Sequence, residues 1–91
     1  MNKTDLIDNV ASLTGASKID AGKAVDALLD AITGSLRNGE DVRLTGFGSF
    51  SVVHRSARMG RNPRTGEPIH ISASNQPKFK AGKTLKSVVN N

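Results

Sequence analysis

Near Gly39 the spacing of apolar residues changes from the helical period of about 3.6 to the strand period of 2, and this change constrains the fold class. Before it, two amphipathic segments each begin with a capping pair, Asn2 with Asp5 and Ser17 with Asp20. After it, apolar and polar residues alternate on either side of a glycine-rich corner at residues 46–48. The pattern predicts a helical hairpin followed by an antiparallel sheet.

The strand pattern continues into a stretch that has no core of its own. From about residue 54 to 75 there is no aromatic residue, yet Ile69 and Ile71 still alternate with polar residues. At its middle, residues 62–66 have turn character, because Pro63 presets one φ and Gly66 accepts a positive φ. The stretch from Arg55 to this turn extends about 27 Å at about 3.4 Å per residue. Since that exceeds what a compact domain of this size needs, we predict a protruding β-arm.

We therefore predict a single α+β domain over residues 1–91. Its helical part, which we expect to serve dimerisation, covers residues 1–41. A three-stranded antiparallel sheet with the long protruding arm at about 54–75 covers residues 42–82. A short C-terminal helix covers residues 83–91 and turns three apolar residues inward, namely Leu85, Val88 and Val89.

A chain of 91 residues buries only about 60% of its unfolded surface, so a monomer is marginal. The absence of cysteine excludes disulfides and thiolate metal sites as added stability. All aromatic residues fall in the sheet region, where they favour core packing: Phe47, Phe50 and Phe79. Because one sheet face and two helices enclose little volume, we predict that a symmetry mate completes the core.

Charge is distributed unevenly along the chain. Residues 1–41 hold four basic and seven acidic residues, whereas residues 42–91 hold nine basic residues and one acidic residue, Glu67. The second half has the composition of an anion-binding surface; the alternative is a basic face that is merely solvated. No apolar run is long enough for a signal peptide or membrane span, so we expect a cytoplasmic protein.

Four arginines lie along one side of the predicted arm and its tip, with no carboxylate among them: Arg55, Arg58, Arg61 and Arg64. Since arginines three apart do not all share one face of a flat strand, we assume a twisted ribbon that touches both walls of a groove. The planar guanidinium fork bonds phosphate oxygens and suits the narrow, negative minor groove of DNA. Pro63, at the tip of this cationic arm, is interpreted as a wedge that unstacks a base step, rather than only a turn former.

Three lysines at intervals of three are expected to meet phosphates near the point where the arm leaves the body: Lys80, Lys83 and Lys86. Lys3 either joins them or is merely solvated. His54 and His70 lack companions at metal-ligand spacing, and no catalytic or nucleotide-cradling motif is present. We therefore expect no enzyme activity, no metal and no cofactor.

Several segments together carry a resemblance to a known family: Gly46-Phe47-Gly48-Ser49-Phe50, Arg55, Gly60-Arg61-Asn62-Pro63-Arg64-Thr65-Gly66, Pro77, Phe79, Gly82-Lys83 and Leu85-Lys86. The chain resembles the HU and integration host factor family of bacterial histone-like DNA-binding proteins along essentially its whole length. The most specific of these segments is the arm tip. The uncharged ending of residues 88–91 is more similar to HU than to integration host factor.

The resemblance implies an intertwined dimer whose two arms embrace DNA, with Pro63 as an intercalating wedge. It places five arm residues in the minor groove, namely Arg55, Arg58, Arg61, Asn62 and Arg64. It places four body residues near phosphates, namely Lys3, Lys80, Lys83 and Lys86. It assigns Phe47, Phe50 and Phe79 to the dimer core.

The function expected from these observations is that of an architectural nucleoid protein. It would bind double-stranded DNA in the minor groove with little sequence specificity, bend or wrap it, and prefer bent, nicked or flexible duplexes. The alternative is a site-specific DNA-bending accessory factor of the integration host factor type. A homodimer is expected, with a heterodimer with a paralogue and a secondary RNA-binding activity as further alternatives.

Overall fold

The computed structural model describes residues 1–91 and has an α+β fold, as predicted. The helices are α1 (Lys3–Thr14), α2 (Lys18–Arg37) and α3 (Lys83–Val89). The strands are β1 (Val42–Leu44), β2 (Gly48–Arg55), β3 (Arg58–Arg61), β4 (Pro68–Ile71) and β5 (Ser74–Ala81). The chain separates into two compact units, Met1–Gly34 and Ser35–Asn91.

Both helices of the first unit begin where their capping residues predict. At α1 the Asn2 side chain accepts from the Asp5 amide at 2.9 Å, and the Asp5 carboxylate accepts from the Asn2 amide at 3.3 Å. Gly15 ends α1 with a φ of 74°. At α2 the Ser17 hydroxyl accepts from the Asp20 amide at 3.1 Å. Local hydrogen bonds thus set three of the four helix ends in this half of the sequence.

The hydrophobic core within a single chain is very small. Ala21 and Val25, both on α2, are its only buried hydrophobic residues, and no large side chain is fully buried. The two helices contact each other at Gly22, where a Cβ would be in ordinary van der Waals contact with Ile7, at 3.8 Å from its Cδ1. So little enclosed apolar volume provides only marginal stability for a single chain.

The second unit contains the predicted three-stranded antiparallel sheet, in the order β1-β2-β5, and a separate two-stranded sheet of β3 and β4. Val42 pairs with Phe50 and Phe50 pairs with Phe79, so these three side chains share one face. Arg43, Ser49 and Lys80 form the adjacent row, whose side chains therefore lie on the opposite face.

The three phenylalanines form one cluster. The Phe79 ring centroid lies 4.9 Å from that of Phe50 and 5.6 Å from that of Phe47, with tilted rings. Gly48 is required beneath this cluster, because a Cβ there would lie 2.5 Å from Cζ of Phe79 and 2.6 Å from the Lys80 carbonyl oxygen. Phe47 and Phe79 are nevertheless 49% and 45% exposed, so a single chain only partly covers the cluster.

The predicted C-terminal helix is present as α3, but its apolar residues are not all turned inward. Leu85 is half-buried, whereas Val88 and Val89 are exposed in the single chain. Within the single chain the residues of the β1–β2 turn contact the start of α3: the Leu85 amide donates to the Gly46 carbonyl, and the Gly82 amide donates to the Phe47 carbonyl. No residue covers Val88 and Val89 at its end to the same extent.

Candidate nucleic-acid interface

Strands β3 and β4 form the predicted arm, and they contact chiefly each other. At the tip, the Asn62 amide donates to the Glu67 carbonyl at 2.8 Å and the Gly66 amide donates to the Asn62 carbonyl at 2.7 Å. Gly66 has a φ of 73°, which an L side chain rarely adopts. The turn therefore depends on backbone geometry rather than on buried side chains.

Asn62 has a structural role that sequence reasoning missed. Its side-chain oxygen accepts from the Arg64 amide at 2.9 Å, the two-residue contact that asparagine commonly makes in turns. The contact fixes the backbone on both sides of Pro63, which is exposed at the tip. Asn62 thus orders the tip, and its predicted place in a DNA groove stays a prediction.

The arginines of the arm do not all lie on one side. Strand pairing places Arg58 on the face of the arm that carries Ile69 and Ile71. Arg61 lies on the opposite face, with Met59 and His70. This agrees with the expectation that arginines three apart do not share one face of a flat strand, because successive residues on a strand point in opposite directions.

Two arginines share a cleft of about 400 Å³ at the base of the arm. Arg55 ends β2 and Arg58 begins β3, and both line this cleft with Ser72, Ser74 and Gln76. The ladder is interrupted here on both sides, between β2 and β3 and between β4 and β5. The base of the arm therefore combines two guanidinium groups, a break in strand pairing and no carboxylate.

Arg61 and Arg64 occupy the distal part of the arm. A guanidinium nitrogen of Arg61 donates to the Gly66 carbonyl oxygen at 3.1 Å, which steadies the side chain against the turn. Arg64 is exposed on the turn itself. Both guanidinium groups keep donors directed to solvent, since each has five N–H groups and neither is in an ion pair.

The lysines do not lie where the sequence reasoning placed them. Lys80 pairs with Ser49 near the start of β2, whereas the arm leaves β2 at Arg55. Along a strand this separation is about 20 Å. Lys83 and Lys86 line the same cleft as Lys80, so the prediction that the trio lies near the base of the arm is wrong.

Lys3 is engaged within the first unit. Its ammonium nitrogen lies 2.6 Å from a carboxylate oxygen of Asp26, and a second ion pair joins Lys18 to Asp8 at 3.5 Å. The hydrogen bond to Asp26, and then the charge of that carboxylate, raise the pKa of Lys3 above its ordinary value. In the free protein, Lys3 is thus partly neutralised.

The two histidines are exposed, and neither belongs to a metal-binding group. Nδ1 of His54 lies 2.8 Å from the side-chain oxygen of Asn75, its cross-strand neighbour. His70 lies opposite Met59 in the arm. No helix of the structure is both long and apolar enough to cross a membrane.

Comparison with known proteins agrees with this geometry. The family described as "Bacterial DNA-binding protein" matches residues 1–90. The chain is 60% identical to DNA-binding protein HU-1 of Halalkalibacterium halodurans, over 99% of this chain and 100% of that protein. It is 56% identical to DNA-binding protein HU of Xylella fastidiosa, over 98% of this chain and 95% of that protein. An Anabaena HU–DNA cocrystal structure superposes with a TM-score of 0.89 at 42% identity, covering 98% of this chain and 97% of that one. The chain therefore belongs to the bacterial DNA-binding protein family, and its relatives within that family are HU proteins.

Proposed function

We propose that this chain is an architectural DNA-binding protein that inserts its arm into the minor groove and bends the duplex with little sequence specificity. The observation that carries the proposal is the arm itself: an exposed β-ribbon with four unpaired arginines and a proline at its tip. Guanidinium groups favour the negative potential of a narrow minor groove, and an apolar wedge there kinks the duplex. The Anabaena relative, solved with DNA, supports this function.

Weak sequence preference follows from the kind of side chains that the interface offers. Contacts from arginine and lysine to phosphates fix position but carry no sequence information. The arm lacks the recognition helix with which many proteins read base edges in the major groove. The relatives are named HU, which favours this function over that of a site-specific accessory factor of the integration host factor type.

The proposed functional unit is a homodimer in which the two chains intertwine. A single chain leaves large apolar residues exposed, including Leu28, Leu29, Leu44, Phe47 and Phe79. Exposure of this much apolar surface to water is unfavourable, and a symmetric partner subunit commonly covers such a surface. Sedimentation at micromolar concentration is expected to give twice the mass of one chain. A mixture with a paralogue from the same cell would reveal a heterodimer, the alternative, by subunit exchange.

The proposed mechanism is tested by following affinity and bending together. Duplexes of about 35 base pairs, intact or centrally nicked and labelled at both ends, are titrated while energy transfer is recorded. Wild type is expected to bind the nicked duplex more tightly and to bring its ends together. Pro63→Ala is expected to bind but to bend less. If the ends never approach and Pro63→Ala is indistinguishable from wild type, the protein binds DNA through its positive charge without bending it, and the proposed mechanism is wrong.

The alternative of a site-specific factor is separated by competition between candidate sites and random duplex. A ratio of affinities near one supports the architectural function, whereas a ratio of about 10³ or more supports site-specific recognition. The same titration with structured RNA as competitor measures the proposed secondary ligand. The chain offers no exposed aromatic platform on its arm for stacking unpaired bases, so RNA is expected to compete poorly.

The proposed location is the nucleoid in the cytoplasm, and the proposed role is binding without catalysis. A fluorescent fusion is expected to follow the DNA stain, and Arg61→Ala combined with Arg64→Ala is expected to make the signal diffuse. A fusion that stays diffuse in the wild type contradicts the proposed location.

A further inference from the structure

Glu67 is the only acidic residue after residue 41, and it lies at the tip of the arm. Its side chain is exposed, and both ion pairs of the chain lie in the first unit. The side-chain hydrogen bonds of the tip involve Arg61, Asn62 and Thr65, and none of them reaches the Glu67 carboxylate. This carboxylate therefore has no partner within the chain, although the arm carries four arginines.

Three contacts nevertheless hold the backbone around Glu67 in place. The Asn62 amide donates to the Glu67 carbonyl at 2.8 Å, and the Glu67 amide donates to the Thr65 hydroxyl at 3.3 Å. The carbonyl of the preceding residue, Gly66, accepts from the Arg61 guanidinium at 3.1 Å. The carboxylate thus extends from an ordered part of the tip.

Strand pairing explains why Glu67 does not form an ion pair with Arg61. Arg61 pairs with Pro68 at the end of the arm ladder, and the bond between Asn62 and Glu67 extends this pairing by one residue. Because successive strand residues point to opposite faces, Glu67 lies on the face opposite Arg61 and Pro68. The carboxylate is therefore available to a donor outside the chain.

Glu67 lies close to the proposed wedge. Asn62 precedes Pro63 in the sequence and lies opposite Glu67 across the tip. Paired Cα atoms are about 5.5 Å apart and consecutive ones about 3.8 Å, so Glu67 lies within about 9 Å of Pro63. This distance corresponds to about two to three base-pair steps of about 3.4 Å each. A wedge that enters a base step therefore brings Glu67 to base edges nearby.

The minor groove offers a carboxylate very few partners. Every base pair presents acceptors there, and the only donor is the exocyclic amino group of guanine. Arginine donates and never accepts, so it finds acceptors at every base pair and discriminates little. A carboxylate accepts and never donates, so the groove repels it everywhere except beside a guanine.

We propose that Glu67 accepts a hydrogen bond from the amino group of a guanine close to the base step at which Pro63 acts. The inference rests on the proposed function, and it adds to that function a residue that gives the arm a mild preference for G·C pairs. One exposed contact is expected to change affinity about three- to tenfold. This preference stays far below the factor of about 10³ that marks site-specific recognition.

The test changes the guanine amino group and the carboxylate separately. The duplex of about 35 base pairs is prepared unmodified, with inosine in place of every guanine, and with diaminopurine in place of every adenine. Inosine lacks the amino group of guanine, whereas diaminopurine adds that group to the minor-groove edge of its pair with thymine. Each form is titrated with wild type and with Glu67→Gln, whose amide both donates and accepts and so does not require guanine.

The measured quantity is the dissociation constant for the inosine duplex divided by that for the unmodified duplex. This ratio is expected to be about three- to tenfold larger in wild type than in Glu67→Gln. Comparing the two proteins cancels any effect of inosine on the shape or stiffness of the duplex. Diaminopurine is expected to tighten binding by wild type more than binding by Glu67→Gln. On the inosine duplex Glu67→Gln is expected to bind more tightly than wild type, because it places no negative charge among the phosphates.

The matched control is Glu40→Gln, which removes the same charge from an exposed position before β1. It is expected to keep the wild-type ratio. The inference is overturned if the ratio is the same in wild type and Glu67→Gln, or if Glu40→Gln changes it as much as Glu67→Gln does. In either case, bending of the unmodified duplex by wild type leaves the proposed function standing. A wild type that neither binds nor bends any of the duplexes overturns both.

Discussion

The three-stranded sheet and the arm are built from the same antiparallel pairing, yet different interactions hold them in place. In the sheet, Phe47, Phe50 and Phe79 pack over Gly48, which is buried. The arm has no aromatic residue, and hydrogen bonds around Asn62 and Gly66 define its tip. Substitutions in the sheet should therefore change folding stability, whereas substitutions in the arm should change DNA binding while the protein stays folded.

The largest expected effect comes from Gly48→Ala in the sheet. The new Cβ would meet the Phe79 ring at 2.5 Å and the Lys80 carbonyl oxygen at 2.6 Å, and neither can move without disturbing the strand pairing. We expect a loss of about 2–3 kcal/mol in the free energy of unfolding, measured by denaturant titration.

The matched control is Gly60→Ala in the arm. Its Cβ would lie 2.7 Å from Cδ1 of Ile71, the far end of a flexible side chain that can rotate away. The expected loss is below about 1 kcal/mol. Equal losses for the two variants would show that the sheet and the arm do not differ as described.

The second expected effect concerns binding. Arg61→Ala combined with Arg64→Ala removes two exposed cations per chain from the distal arm. The dissociation constant for duplex DNA is expected to rise about 10- to 100-fold, and the dependence on salt to become shallower. The melting temperature is expected to stay within about 2 °C of wild type, because no packed side chain is lost.

A control for the arm variant removes the same charge elsewhere, by Lys23→Ala combined with Arg37→Ala. These residues line neither cleft, so this variant is expected to bind with nearly wild-type affinity. If both double variants weaken binding equally, the arm acts only through net charge and the comparison between the two regions fails.

A smaller effect is expected at the tip. Asn62→Ala removes the acceptor of the Arg64 amide and leaves the backbone bonds of the turn in place. The loss of one such contact is worth about 1 kcal/mol, so amide exchange at Arg64 is expected to accelerate about fivefold. DNA bending at saturation is also expected to decrease, since Pro63 is held less firmly. Unchanged exchange and bending would show that the side chain does not order the tip.

The smallest effect is expected in the first unit. Asp26→Asn releases Lys3 from its ion pair, so DNA affinity at low salt is expected to rise two- to threefold at most. A change of this size corresponds to the free energy that an exposed ion pair contributes. Because the folded pKa of Lys3 is raised, the pair stabilises the fold fully below the pKa of the unfolded chain. That contribution is lost as the pH rises through the folded pKa, so the difference in stability between wild type and Asp26→Asn should shrink in strong alkali. Weaker binding by Asp26→Asn contradicts the prediction.

Local signals in the sequence predicted most of the elements. The capping pairs at Asn2 and Ser17 mark where α1 and α2 begin, because their hydrogen bonds span only three residues. The Pro63 to Gly66 segment marks the tip for the same reason. The inward position of Val88 and Val89 was wrong, since packing at the end of α3 depends on contacts distant in sequence.

The cations likewise show which features the sequence predicts and which depend on contacts between distant parts of the chain. Sequence alone established that the basic residues concentrate after residue 41, that the chain has an α+β fold, and that the arm carries four arginines, because composition and period are local properties. Only the tertiary structure decided that the lysine trio lies about 20 Å from the base of the arm and that Arg43 lines the same cleft as the trio. Those positions depend on which residues pair across strands, and pairing joins residues as far apart as Gly48 and Ala81, beyond the reach of any local pattern.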